Sequence, residues 1–131
     1  MLVKDIMKSN VITISAFATV RDALHLMREQ NIKSLVVEKG NEHDAYGLVT
    51  YNDILTTIVA EEGDIDLINV YDICTKPALI VSRELDVKYV ARLMVNMSIQ
   101  RILVTNANEL VGIITKNDIV GAILDLADRA D

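Results

Sequence analysis

The chain has 131 residues, of which 51% are hydrophobic, and its formal net charge is −6. That charge would repel duplex nucleic acid, and four Tyr and one Phe are too few aromatic residues for a base-stacking surface. We therefore expect no nucleic-acid partner. No apolar run approaches the ~18 residues that cross a membrane, and the first residues lack a secretory signal, so we expect no association with a membrane either.

The first half of the chain predicts strands and helices in the order β-α-β-β-α. Val11-Ile12-Thr13-Ile14 is rich in β-branched residues and short enough for a strand. Thr19 can cap the helix that follows. The apolar positions of that helix recur with helical period, at Val20, Ala23, Leu24 and Met27. The next elements are two buried strands joined by a polar hairpin, 34–37 and 47–49, and a helix after Thr50 that is predicted to bury Ile54, Leu55, Ile58 and Val59.

The second half repeats this pattern. Val3-Lys4-Asp5-Ile6-Met7 returns as Val70-Tyr71-Asp72-Ile73-Cys74, and Gly47-Leu48-Val49-Thr50-Tyr51-Asn52-Asp53-Ile54 returns as Gly112-Ile113-Ile114-Thr115-Lys116-Asn117-Asp118-Ile119. The second copy predicts a helix capped by Asp86, strands at 101–104 and 112–114, and a last helix that buries Ile119, Val120, Ile123 and Leu124. We therefore predict one repeat over residues 1–60, an acidic linker over 61–66 and a second repeat over 67–127, which share a core because ~60 residues alone are marginal.

The repeated Thr-x-x-Asp sequence has two interpretations. Thr50 with Asp53, and Thr115 with Asp118, stand where a strand turns into a helix. There the hydroxyl and free backbone N–H groups can hold a phosphate, and the carboxylate can accept two hydrogen bonds from a ribose diol. The alternative is a simple capping box. The same glycine before each copy and the same asparagine within it favour a binding role, because a cap needs neither.

Arg101 precedes a buried strand, and its counterpart in the first repeat is Ser34. A guanidinium at a strand start can pair with a phosphate, although a surface arginine with a solvated head is an equal alternative. If Arg101 does face a site, the two sites are chemically unequal.

The remaining candidates for chemistry are weak. Neither His25 nor His43 has a second metal ligand at suitable spacing, so no metal site is predicted. The single cysteine, Cys74, replaces Met7 of the first repeat, which indicates a small hydrophobic residue. It cannot form an internal disulfide, which favours a cytoplasmic location. No catalytic set is apparent, so we predict no enzyme.

These residues resemble a tandem pair of CBS domains, named after cystathionine β-synthase. The resemblance rests on Val-x-Asp-Ile-Met, on Ile-x-x-Leu-Val-Val and on Gly-φ-φ-Thr-x-x-Asp-Ile (φ, aliphatic), in the same order twice over nearly the whole chain. It implies an α/β fold of the α+β type, with two β-α-β-β-α repeats packed sheet to sheet about a pseudo-twofold axis. It also implies two nucleotide clefts, each built from both repeats. One would combine Thr50, Asp53, Leu79, Ile80 and Arg101; the other would combine Thr115, Asp118, Ile12, Thr13 and Ser34.

The resemblance further implies a non-catalytic regulatory sensor that needs no cofactor and binds AMP, ADP or ATP. Such a sensor would form a homodimer through exposed positions on the helices 23–27 and 54–59, and an effector protein of unknown identity would read its state. The alternative is a structural dimerisation module with unoccupied clefts. An unrecognised enzyme is the third candidate.

Overall fold

The computed structural model describes residues 1–129, which form two compact units. The first unit is the continuous segment Ile12–Ala78, and the second unit combines Met1–Val11 with the chain from Leu79 onward. The elements are, in chain order, α1 (Val3–Ile6), β1 (Thr13–Ile14), α2 (Val20–Gln30), β2 (Ser34–Val37), β3 (Gly47–Thr50), α3 (Tyr51–Ile54), a π-helical segment (Leu55–Ala60), α4 (Val70–Ile73), β4 (Ile80–Ser82), α5 (Val87–Met97), β5 (Arg101–Asn106), β6 (Glu109–Thr115) and α6 (Lys116–Ala127). No helix in this described range is both long and apolar enough to traverse a bilayer.

Each unit has a three-stranded sheet of the same topology. In the first unit β2 lies between β1, to which it is parallel, and β3, to which it is antiparallel. In the second unit β5 occupies the same place between β4 and β6. The central strands are the most buried, since Leu35 and Val37, like Ile102 and Val104, have no exposed surface. The prediction of a mixed α/β fold with two equivalent halves is confirmed.

Each unit is completed by a short helix from the other sequence repeat. Val3 of α1 is fully buried in the core of the second unit, and Val70 of α4 is fully buried in the core of the first. In both cases a residue just after the short helix pairs with an edge strand of the sheet in the same unit: Lys8 bridges to Ile113 of β6, and Thr75 bridges to Leu48 of β3. The packing units therefore differ from the sequence repeats by the exchange of these two segments.

The predicted caps of the two long helices are present. Thr19 accepts a hydrogen bond from the Asp22 N–H and begins α2, and Asp86 accepts one from the Lys88 N–H and begins α5. Both helices end at a residue with left-handed backbone, Asn31 (φ 52°) and Ser98 (φ 54°), which closes the helix and turns the chain toward the next strand.

The two hairpins differ in length. The second turns at Ala107 and Asn108, both with positive φ, so β5 and β6 extend further than predicted. The first has two more residues and therefore a longer loop. Asp44 orders this loop, since its carboxylate accepts hydrogen bonds from the Gly40 and Ala45 N–H groups at 2.7 and 2.8 Å.

The burial predicted for the helices after Thr50 and Thr115 is wrong at five positions. Ile54 and Ile119 are buried, and Ile58 is half-buried, but the outward residues are exposed by 43 to 65%. These are Leu55, Val59, Val120, Ile123 and Leu124. After Ile54 the chain continues as a π-helix, which changes the direction in which its side chains point. The apolar content of these helices therefore exceeds what one chain buries.

Candidate functional site

Thr50 and Asp53 form a corner at the end of β3. The Thr50 N–H donates to Asp53 Oδ2 at 2.8 Å, and the Asp53 N–H donates to Thr50 Oγ1 at 3.3 Å. The Thr50 hydroxyl also donates to Oδ2, at 3.1 Å. All three bonds leave Oδ1 of the half-buried Asp53 without a protein partner among the described residues, so this oxygen can accept hydrogen bonds from a ligand.

Thr115 and Asp118 form the matching corner at the end of β6. The Thr115 N–H donates to Asp118 Oδ2 at 2.8 Å, and the Asp118 N–H donates to Thr115 Oγ1 at 3.1 Å. Here the other oxygen, Oδ1, lies 3.6 Å from Lys8 Nζ. The Asp118 side chain is 10% exposed and that of Lys8 70%, so Lys8 can swing away while the carboxylate stays in place.

A third Thr-x-x-Asp box shows what the cap alone requires. Thr19 and Asp22 exchange the same pair of bonds at the start of α2, at 3.0 and 3.2 Å. This box lacks three features that the two corners share, namely a glycine three residues before the Thr, a strand that ends at the Thr, and an asparagine directly before the Asp. The reciprocal hydrogen bonds are therefore a helix start in all three places, and they do not by themselves indicate a ligand.

The repeated glycine has a structural cause. A Cβ on Gly112 would lie 2.7 Å from Met7 Sδ and 2.8 Å from the Lys8 carbonyl oxygen. A Cβ on Gly47 would lie 3.3 Å from the Thr75 carbonyl oxygen. Glycine at these positions leaves room for the segment that follows α1 or α4 to lie against the strand. Packing therefore explains the repeated glycine, which is not evidence for a binding role. The repeated asparagines, Asn52 and Asn117, are exposed, and their side chains make no hydrogen bond within residues 1–129.

Arg101 and Ser34 occupy equivalent positions beside the corners. In the sheet register Arg101 is directly opposite Thr115, and Ser34 is directly opposite Thr50, so each pair projects from one face of its sheet. The guanidinium of the half-buried Arg101 belongs to none of the ion pairs found among the described residues. The second unit therefore places Arg101 and Lys8, two cations, at one corner, where the first unit has Ser34 and Thr75.

The predicted wall residues lie at the start of the first strand of each unit: Thr13 and Ile80 are the first residues of β1 and β4, and Ile12 and Leu79 directly precede them. The Ile12 carbonyl accepts from the Val36 N–H at 3.0 Å, and the adjoining Thr13 donates its hydroxyl to Glu38 at 3.1 Å. The Leu79 carbonyl accepts from the Leu103 N–H at 2.9 Å. Ile80 is 41% exposed, which suits a contact surface.

The predicted site residues are divided between the two units, five in each. Ile12, Thr13, Ser34, Thr50 and Asp53 belong to the first unit; Leu79, Ile80, Arg101, Thr115 and Asp118 belong to the second. The predicted assignment of wall residues and Arg101 to a corner of the other unit stays a prediction. Sequence reasoning missed Lys8, because Lys8 comes near Asp118 only through its pairing with Ile113, which is distant in the sequence.

No cluster of metal ligands occurs among residues 1–129. Cys74 is half-buried against the core of the first unit, and this burial raises the pKa of its thiol, which favours the uncharged form. It therefore acts as the small hydrophobic residue that was predicted.

A separate groove of about 440 Å³ lies in the second unit between α5 and α6. Its lining is mainly apolar and includes Met94, Val95, Ile99, Ile119 and Val120. Lys116 and Gln100 supply polar groups. Val120, one of the outward apolar residues of α6 that this chain leaves exposed, lines the groove.

The sequence matches the CBS domain family twice, over residues 3–60 and 70–125. An uncharacterised protein of Methanopyrus kandleri is 31% identical over 120 residues, which cover 90% of this chain and 60% of that protein. The chain spans a still smaller share, 41% and 42%, of relatives from Methanocaldococcus jannaschii and Thermofilum pendens.

Solved structures agree with this match. The hexameric CBS-CP12 protein from bloom-forming cyanobacteria superposes with a TM-score of 0.88 at 42% identity, over 92% of this chain and 66% of that one. A CBS domain pair in complex with 5-methylthioadenosine and S-adenosyl-L-methionine superposes with a TM-score of 0.79 at 26% identity, over 94% of this chain and 99% of that one. From the doubled match and the doubled sheet, the chain belongs to the CBS domain family and carries the domain twice.

Proposed function

We propose that this CBS pair is a non-catalytic regulatory module that binds an adenosine-containing ligand of the AMP, ADP or ATP type through Asp53 and Asp118. The observation that carries the proposal is the use of the two carboxylate oxygens. Each box engages Oδ2 alone, so Oδ1 is left to Lys8 at one corner and to no described residue at the other. A ribose diol, with two adjacent O–H donors, matches such an acceptor.

A related complex supports the class of ligand. The similar CBS pair described above was solved with 5-methylthioadenosine and S-adenosyl-L-methionine, both of which contain adenosine. The two cations at the Asp118 corner suit a phosphorylated ligand better than these two, because a charged hydrogen bond contributes about 1.5–3 kcal/mol and a neutral one about 1. In this proposal the ligand biases the relation between the repeats, an effector protein reads that change, and the module acts in the cytoplasm.

The test is calorimetric titration of AMP, ADP and ATP into the wild type and into Asp53→Ala, Asp118→Ala and the double variant. We expect weaker binding in each single variant and none in the double variant. Asp22→Ala is the matched control, because it removes the same kind of box at α2. All three single variants should lose about 1 kcal/mol of stability. Wild-type affinity in the double variant would refute the proposed site.

A second candidate function is a structural dimerisation module whose corners bind nothing. The box at Thr19 and Asp22 favours it, because that box shows Thr-x-x-Asp serving as a cap alone. A thermal shift with AMP, ADP, ATP and S-adenosylmethionine separates the candidates, since a ligand at 100 times its Kd adds about 2.7 kcal/mol of stability. No shift with any of the four would favour the second candidate.

A further inference from the structure

The two short helices dock through equivalent backbone hydrogen bonds. In the first unit the Val70 N–H donates to the Ala18 carbonyl at 2.8 Å, and the Tyr71 N–H donates to the Ala16 carbonyl at 3.0 Å. The corresponding donors in the second unit are Val3 and Lys4, which bind Leu85 and Arg83 at 2.8 and 2.9 Å. The backbone at these two places is thus the same, and the duplication offers one as a reference for the other.

The side chains at the equivalent positions differ in kind. In the second unit Lys4 Nζ pairs with Glu84 Oε2 at 3.1 Å. In the first unit Tyr71 stands in place of Lys4 and Phe17 in place of Glu84, and their rings meet edge to face with centroids 6.0 Å apart. We refer to Phe17 and Tyr71 as the aromatic corner.

The aromatic corner is not needed to hold α4 in place. The equivalent α1 is held by the same backbone bonds and a fully buried valine, with only a half-exposed ion pair beside them. Phe17 is nevertheless 78% exposed and Tyr71 53% exposed, and Leu67 in the segment before α4 is 77% exposed. Large apolar side chains that are this exposed and that the fold does not require indicate a contact with another molecule.

Charge around the aromatic corner indicates the chemistry of that molecule. Residues 12–78 contain eleven carboxylates and five Lys or Arg side chains, a net charge of −6, whereas the rest of the sequence has eight of each sign. The whole excess of negative charge is therefore carried by the unit with the aromatic corner. Asp64, Asp66 and Asp72 lie in the segment that includes Leu67 and Tyr71. Within residues 1–129, Asp66 alone of these three forms an ion pair, with Arg21 at 2.9 Å.

We propose that the aromatic corner is the docking site for a cationic segment of a partner protein, in which an arginine or lysine adjoins an apolar side chain. The ring faces attract the cation, the exposed rings and Leu67 cover the apolar side chain, and the acidic unit steers the segment to the site. This docking site shares no residue with the proposed nucleotide site. Its binding is measured without nucleotide, so the result does not depend on that site.

The experiment uses the full chain and a displayed library of random dodecapeptides as the probe. The most enriched peptide is synthesised, and its Kd is measured by calorimetry at two salt concentrations. The decisive variant is Phe17→Glu with Tyr71→Lys, which copies the ion pair of the second unit and so preserves the docking of α4. Tyr71→Phe, which keeps the ring, and Lys4→Glu with Glu84→Lys, which inverts the other ion pair, are the controls.

We expect enriched peptides to combine Arg or Lys with aromatic or aliphatic residues and to bind more weakly as salt is raised. The decisive variant should unfold at the wild-type temperature and lose at least tenfold in affinity, while both controls retain binding. The absence of enrichment, enrichment without basic residues, or equal affinity in the decisive variant would overturn the proposal. So would a wild-type oligomer that dissociates in that variant, because the occupant would then be a second copy of this chain.

Discussion

At the scale of single residues, the two Thr-x-x-Asp corners differ in the charge beside them. Arg101 and Ser34 could be recognised from the sequence because they occupy the same position in the two repeats. Lys8 could not, because it reaches Asp118 only through the bridge to Ile113 that Gly112 permits. Short-range patterns therefore identified the corner and Arg101, whereas the charge that Lys8 adds depends on pairing between distant segments.

The phosphate role of Arg101 is testable with one substitution. Arg101→Ser copies the first repeat, and we expect it to weaken AMP binding at least tenfold while adenosine, which lacks a phosphate, is little affected. Calorimetry with both ligands measures the difference. Equal losses for AMP and adenosine would show that Arg101 does not contact the phosphate.

The corner that Arg101 serves follows from double-mutant cycles. The family resemblance implies that it acts beside Asp53, whereas the sheet register sets it opposite Thr115, at the corner that contains Asp118. Arg101→Ser is combined in turn with Asp53→Ala and Asp118→Ala, and AMP affinity is measured for each. The aspartate whose loss is non-additive with that of Arg101 belongs to the same site.

Asp44 predicts a pH dependence of stability. Hydrogen bonds from Lys76, at 2.7 Å, and from the Gly40 and Ala45 N–H groups lower its pKa to about 2, from an ordinary value of 3.8. A carboxylate with a lowered pKa stabilises the folded state above its unfolded pKa, and this contribution is lost as the pH falls through about 2. Asp44→Asn should therefore lower stability at pH 7, and the difference from wild type should shrink between about pH 4 and 2.

Urea unfolding of Asp44→Asn and wild type at a series of pH values checks this. Glu42→Gln, in the same loop but outside these hydrogen bonds, is the control and should follow the wild type. Identical urea midpoints for Asp44→Asn and wild type at pH 7 would contradict the prediction.

At the scale of elements, the strands and the two long helices could be predicted closely, but the ends of α3 and α6 could not. The strand 34–37 and the helices capped by Thr19 and Asp86 appear as expected, because local periodicity and caps determine them. The π-helical turns at Leu55–Ala60 and the exposure of Leu124 could not be predicted, because apolar spacing indicates a buried face without saying which molecule buries it.

Two glycines give opposite predictions for the same substitution. A Cβ on Gly63 would lie 2.6 Å from Ile68 Cδ1 and 2.8 Å from the Thr57 carbonyl oxygen, whereas a Cβ on Gly121, within α6, would meet nothing within 4 Å. Gly63→Ala should therefore destabilise by about 1–3 kcal/mol, and Gly121→Ala should stabilise by about 0.5–1 kcal/mol. Chemical unfolding of both variants measures this, and two shifts of the same sign would contradict it.

At the scale of the whole molecule, the exposed apolar residues predict a homodimer. The sequence-based proposal placed the interface partly on α2, but the exposed positions of that helix are polar, for example Arg21, His25 and Arg28. The outward face of α6 and the groove beside it are better candidates, because Ile123 and Leu124 are 58 and 60% exposed.

Light scattering should give twice the chain mass of 14.5 kDa for the wild type. Leu124→Glu places a charge in the proposed apolar interface and should shift the mass toward 14.5 kDa. His25→Glu, on the polar face of α2, is the control and should leave the dimer intact. A wild type that is monomeric at micromolar concentration, or a Leu124→Glu variant that stays dimeric, would contradict the prediction.

The exchange of α1 and α4 has a consequence for any single repeat. A lone copy would carry its short helix at one end, and that helix would find its place only on a second copy. Two separate copies would have to exchange their short helices, as in domain swapping, and this exchange would depend on the concentration of the copies. Joining the copies in one chain makes the exchange intramolecular, and the connecting segment then sets the effective concentration of one copy near the other. Duplication therefore turns a dilution-sensitive assembly into a folding reaction.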